Sequence, residues 1–207
     1  MACKGSARRI PLVMVEMLDI SEVRARVATV SLDRYHGMID AGDFGDRKVE
    51  LLNGILVEKM TKSALRVFLV RSIADLLEEH CDLERMIVRQ ENPVSVPFPD
   101  RDSQPEPDIS VVLGQDSDFK FEHPSAAQFV VEVAISSANV DLAKSGIYAT
   151  AGVEEYWIVR PEQRVTEVFR NPVDGEYSER VTVDANELLP STALPGFELN
   201  LADLLDE

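Results

Sequence analysis

Cysteine and histidine are scarce in this chain of 207 residues. It contains only Cys3 and Cys81, too few for a disulfide framework or a cysteine-based zinc site. Its histidines, His36, His80 and His123, lie far apart and lack the His-Glu-x-x-His spacing of a zinc protease. These shortages exclude a disulfide-stapled scaffold and favour a reducing, cytoplasmic location.

Long apolar runs are also missing. No run approaches the ~20 residues that cross a bilayer, so we expect no contact with a membrane. The segment at 10–20, IPLVMVEMLDI, has some character of a signal peptide, but Glu16 and Asp19 interrupt it. We therefore expect residues 1–30 to form a partly disordered extension without a targeting role and residues 31–207 to form one domain.

Positive charge is in short supply. The chain has 21 lysine and arginine residues against 37 acids, a formal net charge of −16. This balance argues against a broad electropositive surface that would hold nucleic acid by phosphate contacts alone. The 45% hydrophobic and 28% charged composition is nevertheless that of an ordinary globular domain with one core.

The first half of the domain shows alternating strand and helix patterns. Asn53-Gly54 between VELL and ILVEK predicts a hairpin, because both central residues of a type I′ turn need positive φ. A helix is predicted from Ser63 to Cys81, with apolar residues at 65, 69, 73, 76 and 77. A strand over 86–96 then leads into a proline-rich loop over 97–107.

The second half begins with two short, apolar strand patterns, DISVVLG at 108–114 and QFVVEVAI at 128–135, which we expect to be central and buried. A helix is predicted between Ser136 and Gly152, followed by strands over 154–160 and 165–170 and a tail ending in LADLLDE. The fold class is α+β, with a mixed central sheet flanked by helices, an N-terminal hairpin and a C-terminal strand pair.

Asp108 and Glu132 are single acids on otherwise apolar strands. A buried carboxylate is costly unless a cation or hydrogen bonds compensate it. If the strands are neighbours, the two side chains can converge on Mg²⁺, which prefers oxygen ligands, and the backbone carbonyl of Val133 can add another. These residues are therefore candidate metal ligands.

Lys144 lies on the predicted helix, and its spacing places Asp141 and Tyr148 on the same helix face. Two acids and a lysine suffice for metal-assisted phosphodiester hydrolysis, in which a metal-activated water attacks the phosphate while the lysine stabilises charge. The alternative is that Asp108, Glu132 and Lys144 form ordinary structural ion pairs.

Several sequence blocks carry a family resemblance: PEPD at 105–108, VVEVAISS at 130–137, and the run from Asp141 through Lys144 and Tyr148 to EYWIV at 155–159. With VELLNGILVEKM upstream and LPGFELNLADLL downstream, they resemble the Uma-two family of restriction endonucleases in the PD-(D/E)XK nuclease superfamily. The resemblance spans about residues 31–205. It implies a restriction-endonuclease-like fold and Mg²⁺- or Mn²⁺-dependent cleavage of nucleic acid, with DNA the favoured substrate.

The resemblance also implies roles for individual residues. Asp108 and Glu132 would be the metal ligands. The superfamily usually carries Glu-x-Lys on this strand, whereas here Ala134 follows, so the catalytic lysine would be Lys144 on the helix.

Glu106 and Glu50 would assist through a water or a second ion. Three positions depart from the family pattern: Arg66 stands where a histidine is frequent, and Ile135 and Leu142 replace Asp and Arg. These departures keep open a second hypothesis, a catalytically inactive interaction protein with a nuclease fold. Hydrolysis of a small phosphoester is a third.

Two further expectations concern packing. Tyr156 and Trp157 lie in a strand and are candidates for stacking on bases, but Trp157 is predicted to be a core or dimer anchor instead. We expect a homodimer, because an exposed apolar tail such as LADLL often packs against a partner.

Overall fold

The computed structural model describes residues 26–98 and 101–206. Most of the proposed N-terminal extension, residues 1–25, lies outside the described residues. The helices and strands are α1 Leu32–Asp40, β1 Val49–Leu52, β2 Ile55–Glu58, α2 Ala64–His80, β3 Met86–Gln90, β4 Ile109–Leu113, β5 Phe129–Val133, α3 Ala138–Thr150, β6 Glu155–Arg160, β7 Val165–Val173, β8 Glu176–Asp184, β9 Leu188–Pro190, β10 Glu198–Asn200 and α4 Leu201–Leu205.

A six-stranded sheet in the order β3-β4-β5-β6-β7-β8 forms the centre of the domain. Only β5 and β6 pair in parallel, since α3 provides the crossover between them, and every other neighbouring pair is antiparallel. Two small antiparallel pairs, β1-β2 and β9-β10, stand apart from this sheet. The predicted α+β class and mixed sheet are confirmed.

The two faces of the sheet are covered by different helices. On one face, α2 and the C-terminal segment pack against Val131 and Trp157, and on the other, Tyr148 of α3 packs against Val130 and Tyr156. Every residue of β5 is buried because it is covered from both sides. Trp157 is fully buried, which confirms that it belongs to the core, and Tyr156 beside it is fully buried as well.

Helix α2 begins after Ser63, whose hydroxyl accepts the Arg66 N–H at 3.2 Å. The apolar stripe is shifted from the one predicted. Leu65 and Leu76 are 41% and 38% exposed, so their assignment to the buried face was wrong. The face that packs on the sheet consists of Leu69, Val70, Ile73, Ala74 and Leu77.

The predicted hairpin is confirmed as β1 and β2, with φ of 50° at Asn53 and 75° at Gly54. A β-carbon at Gly54 would lie 2.5 Å from Thr29 Cβ, so glycine is required for packing as well as for backbone conformation. Strand β1 is held against the loop before β4 by an isolated bridge between Leu51 and Gln104.

Three sequence expectations need correction. The strand predicted over 86–96 ends at Gln90, because Glu91 adopts a positive φ of 54°. The chain after the strand predicted over 165–170 was expected to be a tail, but it contains a nine-residue strand, β8. The apolar side chains of LADLL are not exposed: Leu201 and Ala202 are buried in the core and Leu204 and Leu205 pack against it, so the homodimer prediction loses the support of an exposed apolar tail.

Among the described helices, none combines the length and the apolar character needed to cross a membrane.

Candidate active site

Antiparallel pairing of β4 and β5 brings the two predicted metal ligands together. The register sets Ile109 opposite Val131, so Asp108, one residue before β4, faces Glu132. The Asp108 N–H donates to Glu132 Oε2 at 3.3 Å, and the Val133 N–H donates to Asp108 Oδ2 at 2.7 Å. Asp108 and Glu132 are both buried. Val133 thus contacts Asp108 through its amide, whereas the sequence hypothesis assigned a role to its carbonyl.

Lys144 reaches this pair from α3. Its Nζ lies 3.0 Å from Glu132 Oε1 and 3.0 Å from Glu50 Oε1, with Asp141 Oδ1 at 3.9 Å. Lys144 is only 3% exposed, so these contacts form away from solvent. The ammonium group therefore neutralises acids from three separate elements, β1, β5 and its own helix.

The two residues predicted to share the face of Lys144 also point at the cluster. The Tyr148 hydroxyl donates to Glu132 Oε1 at 3.0 Å, and the Ser137 hydroxyl donates to Asp141 Oδ2. Ser137 is the N-cap of α3, but its side chain makes no capping bond to the backbone. The helix spacing alone was enough to place Asp141, Lys144 and Tyr148 together.

The two accessory acids occupy different positions. Glu50 is buried and contacts Lys144, and its Oε2 accepts the Glu106 N–H at 3.2 Å. The carboxylate of Glu106 instead lies 2.9 Å from Lys59 Nζ and is 26% exposed at the edge of the cluster. The structure therefore brings Glu50 to the centre and leaves the side chain of Glu106 outside it.

Arg66 contacts Asp108 in a way that sequence reasoning missed. Its Nη2 donates to Asp108 Oδ1 at 2.7 Å, and its Nε lies 3.2 and 3.1 Å from the two carboxylate oxygens. The sequence showed an arginine at an unusual position, but nothing in its spacing pointed to Asp108. The other two departures, Ile135 and Leu142, pack against the two cores on opposite sheet faces.

Burial and mutual repulsion change the acidity of the cluster. Burial and the charge of Glu132 raise the pKa of Asp108 to about 6, against the opposing effect of Arg66. The same two causes raise the pKa of Asp141 to about 7. Burial favours neutral Lys144, but the charges of Glu132, Glu50 and Asp141 outweigh it and raise the lysine pKa.

The chemistry of the donor set fits a divalent cation. Four buried carboxylates face two basic groups, which leaves a formal excess of two negative charges in the ionised cluster. The acids are Glu50, Asp108, Glu132 and Asp141, and the bases are Arg66 and Lys144. Within 26–98 and 101–206, however, no three ligand-type side chains are arranged to hold a metal ion. The donors fit Mg²⁺ in type and charge, while the oxygens of Asp108 are engaged by Arg66.

The remaining sequence candidates lie outside the cluster. His36 Nε2 is 3.0 Å from Gln104 Oε1, and the ring of His80 packs against Phe197. Cys81 caps the C-terminal end of α2 and packs against the core.

The comparisons with known proteins agree with this architecture. A family model named Uma2 and described as "Putative restriction endonuclease" matches residues 32–202. A crystal structure of a "putative nuclease belonging to DUF820" from Anabaena variabilis superposes with a TM-score of 0.65 at 17% sequence identity. The similarity covers 86% of this chain and 98% of that one, which supports a shared fold. A search of curated proteins gave no match. The extent of the family match shows that the chain belongs to the Uma2 family of restriction-endonuclease-like nucleases.

Proposed function

We propose that the protein is a Mg²⁺- or Mn²⁺-dependent endonuclease that hydrolyses phosphodiester bonds in DNA. The observation that carries the proposal is the buried cluster in which Lys144 contacts Glu132 and Glu50 beside Asp108. Isolated structural ion pairs would not require this concentration of acids, because buried charges are costly unless each is compensated. Membership of the Uma2 family supports the same class of reaction.

Asp108 and Glu132 would hold the cation, with Glu50 and Asp141 as supporting acids. A bound divalent cation supplies a Lewis acid that activates water and neutralises a phosphate. Lys144 stays protonated because its pKa is raised, so it stabilises negative charge and does not act as a base. Tyr148 fixes Glu132 by donating to Oε1, which leaves Oε2 on the side of Asp108.

The proposal is tested by incubating the purified protein with supercoiled plasmid and Mg²⁺ or Mn²⁺. We expect the wild type to nick the plasmid and chelation of the metal to stop the reaction. Asp108→Asn, Glu132→Gln and Lys144→Met should each reduce the rate of nicking at least ~100-fold, which is the typical effect of losing a group that stabilises the transition state. Asp203→Asn, at an exposed position on α4, is the matched control and should cleave normally.

An intact plasmid with both metals, or full cleavage by Asp108→Asn, contradicts the proposal. A parallel assay on a single-stranded RNA distinguishes the two nucleic acids.

A second candidate is a nuclease-fold interaction protein that has lost activity. The contact of Arg66 with both oxygens of Asp108 favours it, because the guanidinium already neutralises a proposed ligand. This candidate predicts no Mn²⁺ binding by calorimetry. A Mn²⁺ site that Glu132→Gln abolishes would exclude it.

A further inference from the structure

Both oxygens of Asp108 are saturated by donors of the protein itself. Oδ1 accepts from Arg66 Nη2 at 2.7 Å and from Nε at 3.2 Å. Oδ2 accepts from Arg66 Nε at 3.1 Å and from the Val133 N–H at 2.7 Å. Because a cation would need lone pairs on this carboxylate, Arg66 and a cation compete for the same atoms.

The two cations of the cluster differ in their freedom to leave it. Lys144 is surrounded by three acids in the interior, so it has no exit that keeps its charge compensated. Arg66 stands in the first turn of α2, and its side chain is 11% exposed. It also lines an open groove of about 460 Å³, together with Lys62, Val70 and Glu91. The lining of this groove also includes the acids Asp75, Glu78 and Glu91, so it offers carboxylates to a displaced guanidinium.

The charge of the cluster favours such an exchange. With Arg66 in place, the ionised cluster keeps an excess of two negative charges. Removing the guanidinium raises the excess to three, and a divalent cation then lowers it to one. Replacing a single charge by a double charge therefore improves neutralisation of a buried group of acids, where compensation matters most.

We infer that Arg66 is a built-in competitor for the metal: it holds Asp108 in the metal-free protein, and a divalent cation binds by displacing its guanidinium into the groove. This inference rests on the proposed function for the identity of the metal ligands. Arg66 then determines how much divalent cation the site needs, which is a role distinct from those of Asp108, Glu132 and Lys144. If the ion pair between Arg66 and Asp108 were purely structural, removing Arg66 would leave the metal affinity unchanged or weaken it.

The test is calorimetric titration of the full chain with Mn²⁺. Arg66→Gln removes the competing charge. We expect the Kd of this variant for Mn²⁺ to fall roughly 10- to 100-fold, which corresponds to the free energy of a hydrogen bond to a charged group. Arg66→Lys, which keeps the charge but loses the two-pronged contact, should bind with intermediate affinity. Arg164→Gln is the matched control, because Arg164 makes a similar two-pronged contact, with Asp206, at an exposed site outside this groove.

Thermal unfolding with and without Mn²⁺ gives a second readout. Metal-free Arg66→Gln should melt below the wild type, since Asp108 loses its partner, and Mn²⁺ should raise its melting temperature more than that of the wild type. Adding Asp108→Asn to Arg66→Gln should remove the gain in Mn²⁺ affinity. If Arg66→Gln does not fold, Arg66→Lys answers the same question.

The outcomes separate this inference from the proposed function. Mn²⁺ binding by the Arg66 variants that is equal to or weaker than that of the wild type overturns the inference and leaves the proposed function standing. Tighter binding by Arg66→Gln without plasmid cleavage by any form supports the inference and overturns the proposed function. Absence of Mn²⁺ binding in every form overturns both.

Discussion

At the scale of single residues, Asp141 is an acid whose ionisation is unfavourable in the folded protein. Its carboxylate is buried beside Glu132, and these two causes raise its pKa to about 7 although Lys144 lies 3.9 Å away. The unfolded chain would ionise this group at its ordinary pKa near 3.8. Above pH 7 Asp141 is therefore ionised in the folded protein, and its charge lowers the free energy of unfolding.

We predict that Asp141→Asn stabilises the protein at pH 8 by about 1–3 kcal/mol, because the amide removes the repulsion and still accepts a bond from Ser137. The gain should shrink towards pH 5, where Asp141 is protonated in the folded state. Urea unfolding at the two pH values measures this difference, with Asp203→Asn as the exposed control. A loss of stability at pH 8 would mean that attraction to Lys144 outweighs the repulsion.

At the scale of elements, the β1-β2 hairpin positions a residue of the cluster. Glu50 lies in β1 and reaches Lys144 only while the hairpin is held in place. The Gly54 N–H donates to the Asp102 carbonyl at 2.8 Å, and its own carbonyl accepts the Val30 N–H at 2.8 Å. The turn therefore connects the β1-β2 hairpin to the rest of the domain through hydrogen bonds.

Gly54→Ala should lower stability by about 1–3 kcal/mol, since alanine is strained at a φ of 75° and its β-carbon would collide with Thr29. The matched control is Gly37→Ala in α1, where a β-carbon meets nothing within 4 Å. That change should be neutral or stabilise by about 0.5–1 kcal/mol. Chemical denaturation of the two variants beside the wild type checks both values, and equal effects would refute the steric explanation.

At the scale of the whole molecule, two groups of buried acids respond to pH in opposite directions. Asp108 and Asp141 have raised pKa values. The pKa of Glu155 is lowered, because hydrogen bonds from the Ala193 N–H, Trp157, Ser191 and Arg170 overcome the effect of burial. Glu155 in this way ties β6 to the segment that leads to β10.

These directions predict a maximum in stability on the acid side of neutrality. As pH falls from 8 towards 5.5, Asp108 and Asp141 take up protons in the folded state before the unfolded chain does, so stability rises. Below about pH 4.5 the unfolded state takes up more protons at Glu155 and stability falls. Urea unfolding followed by the fluorescence of Trp157, the single tryptophan, traces this curve. A monotonic rise in stability up to pH 8 would contradict the assigned pKa directions.

The amino-acid sequence determined those features that depend on neighbours along the chain. The Asn53-Gly54 turn, the buried strands around Val111 and Val131, and the common helix face of Lys144 and Tyr148 follow from backbone preference and side-chain period. These are local properties, so the pattern of residues was enough to predict them. The stripe on α2 was misjudged because its periodicity fits several faces and only packing selects one.

Only the tertiary structure decided which distant residues meet. Arg66 contacts Asp108, Glu50 contacts Lys144, and the LADLL segment at 201–205 enters the core of its own chain. Each of these contacts depends on the order of strands in the sheet and on the face that each helix covers. The sequence contains many acidic and basic residues, so each has many possible partners. A charged side chain needs a particular partner only once folding has buried it, because an unpaired buried charge is costly.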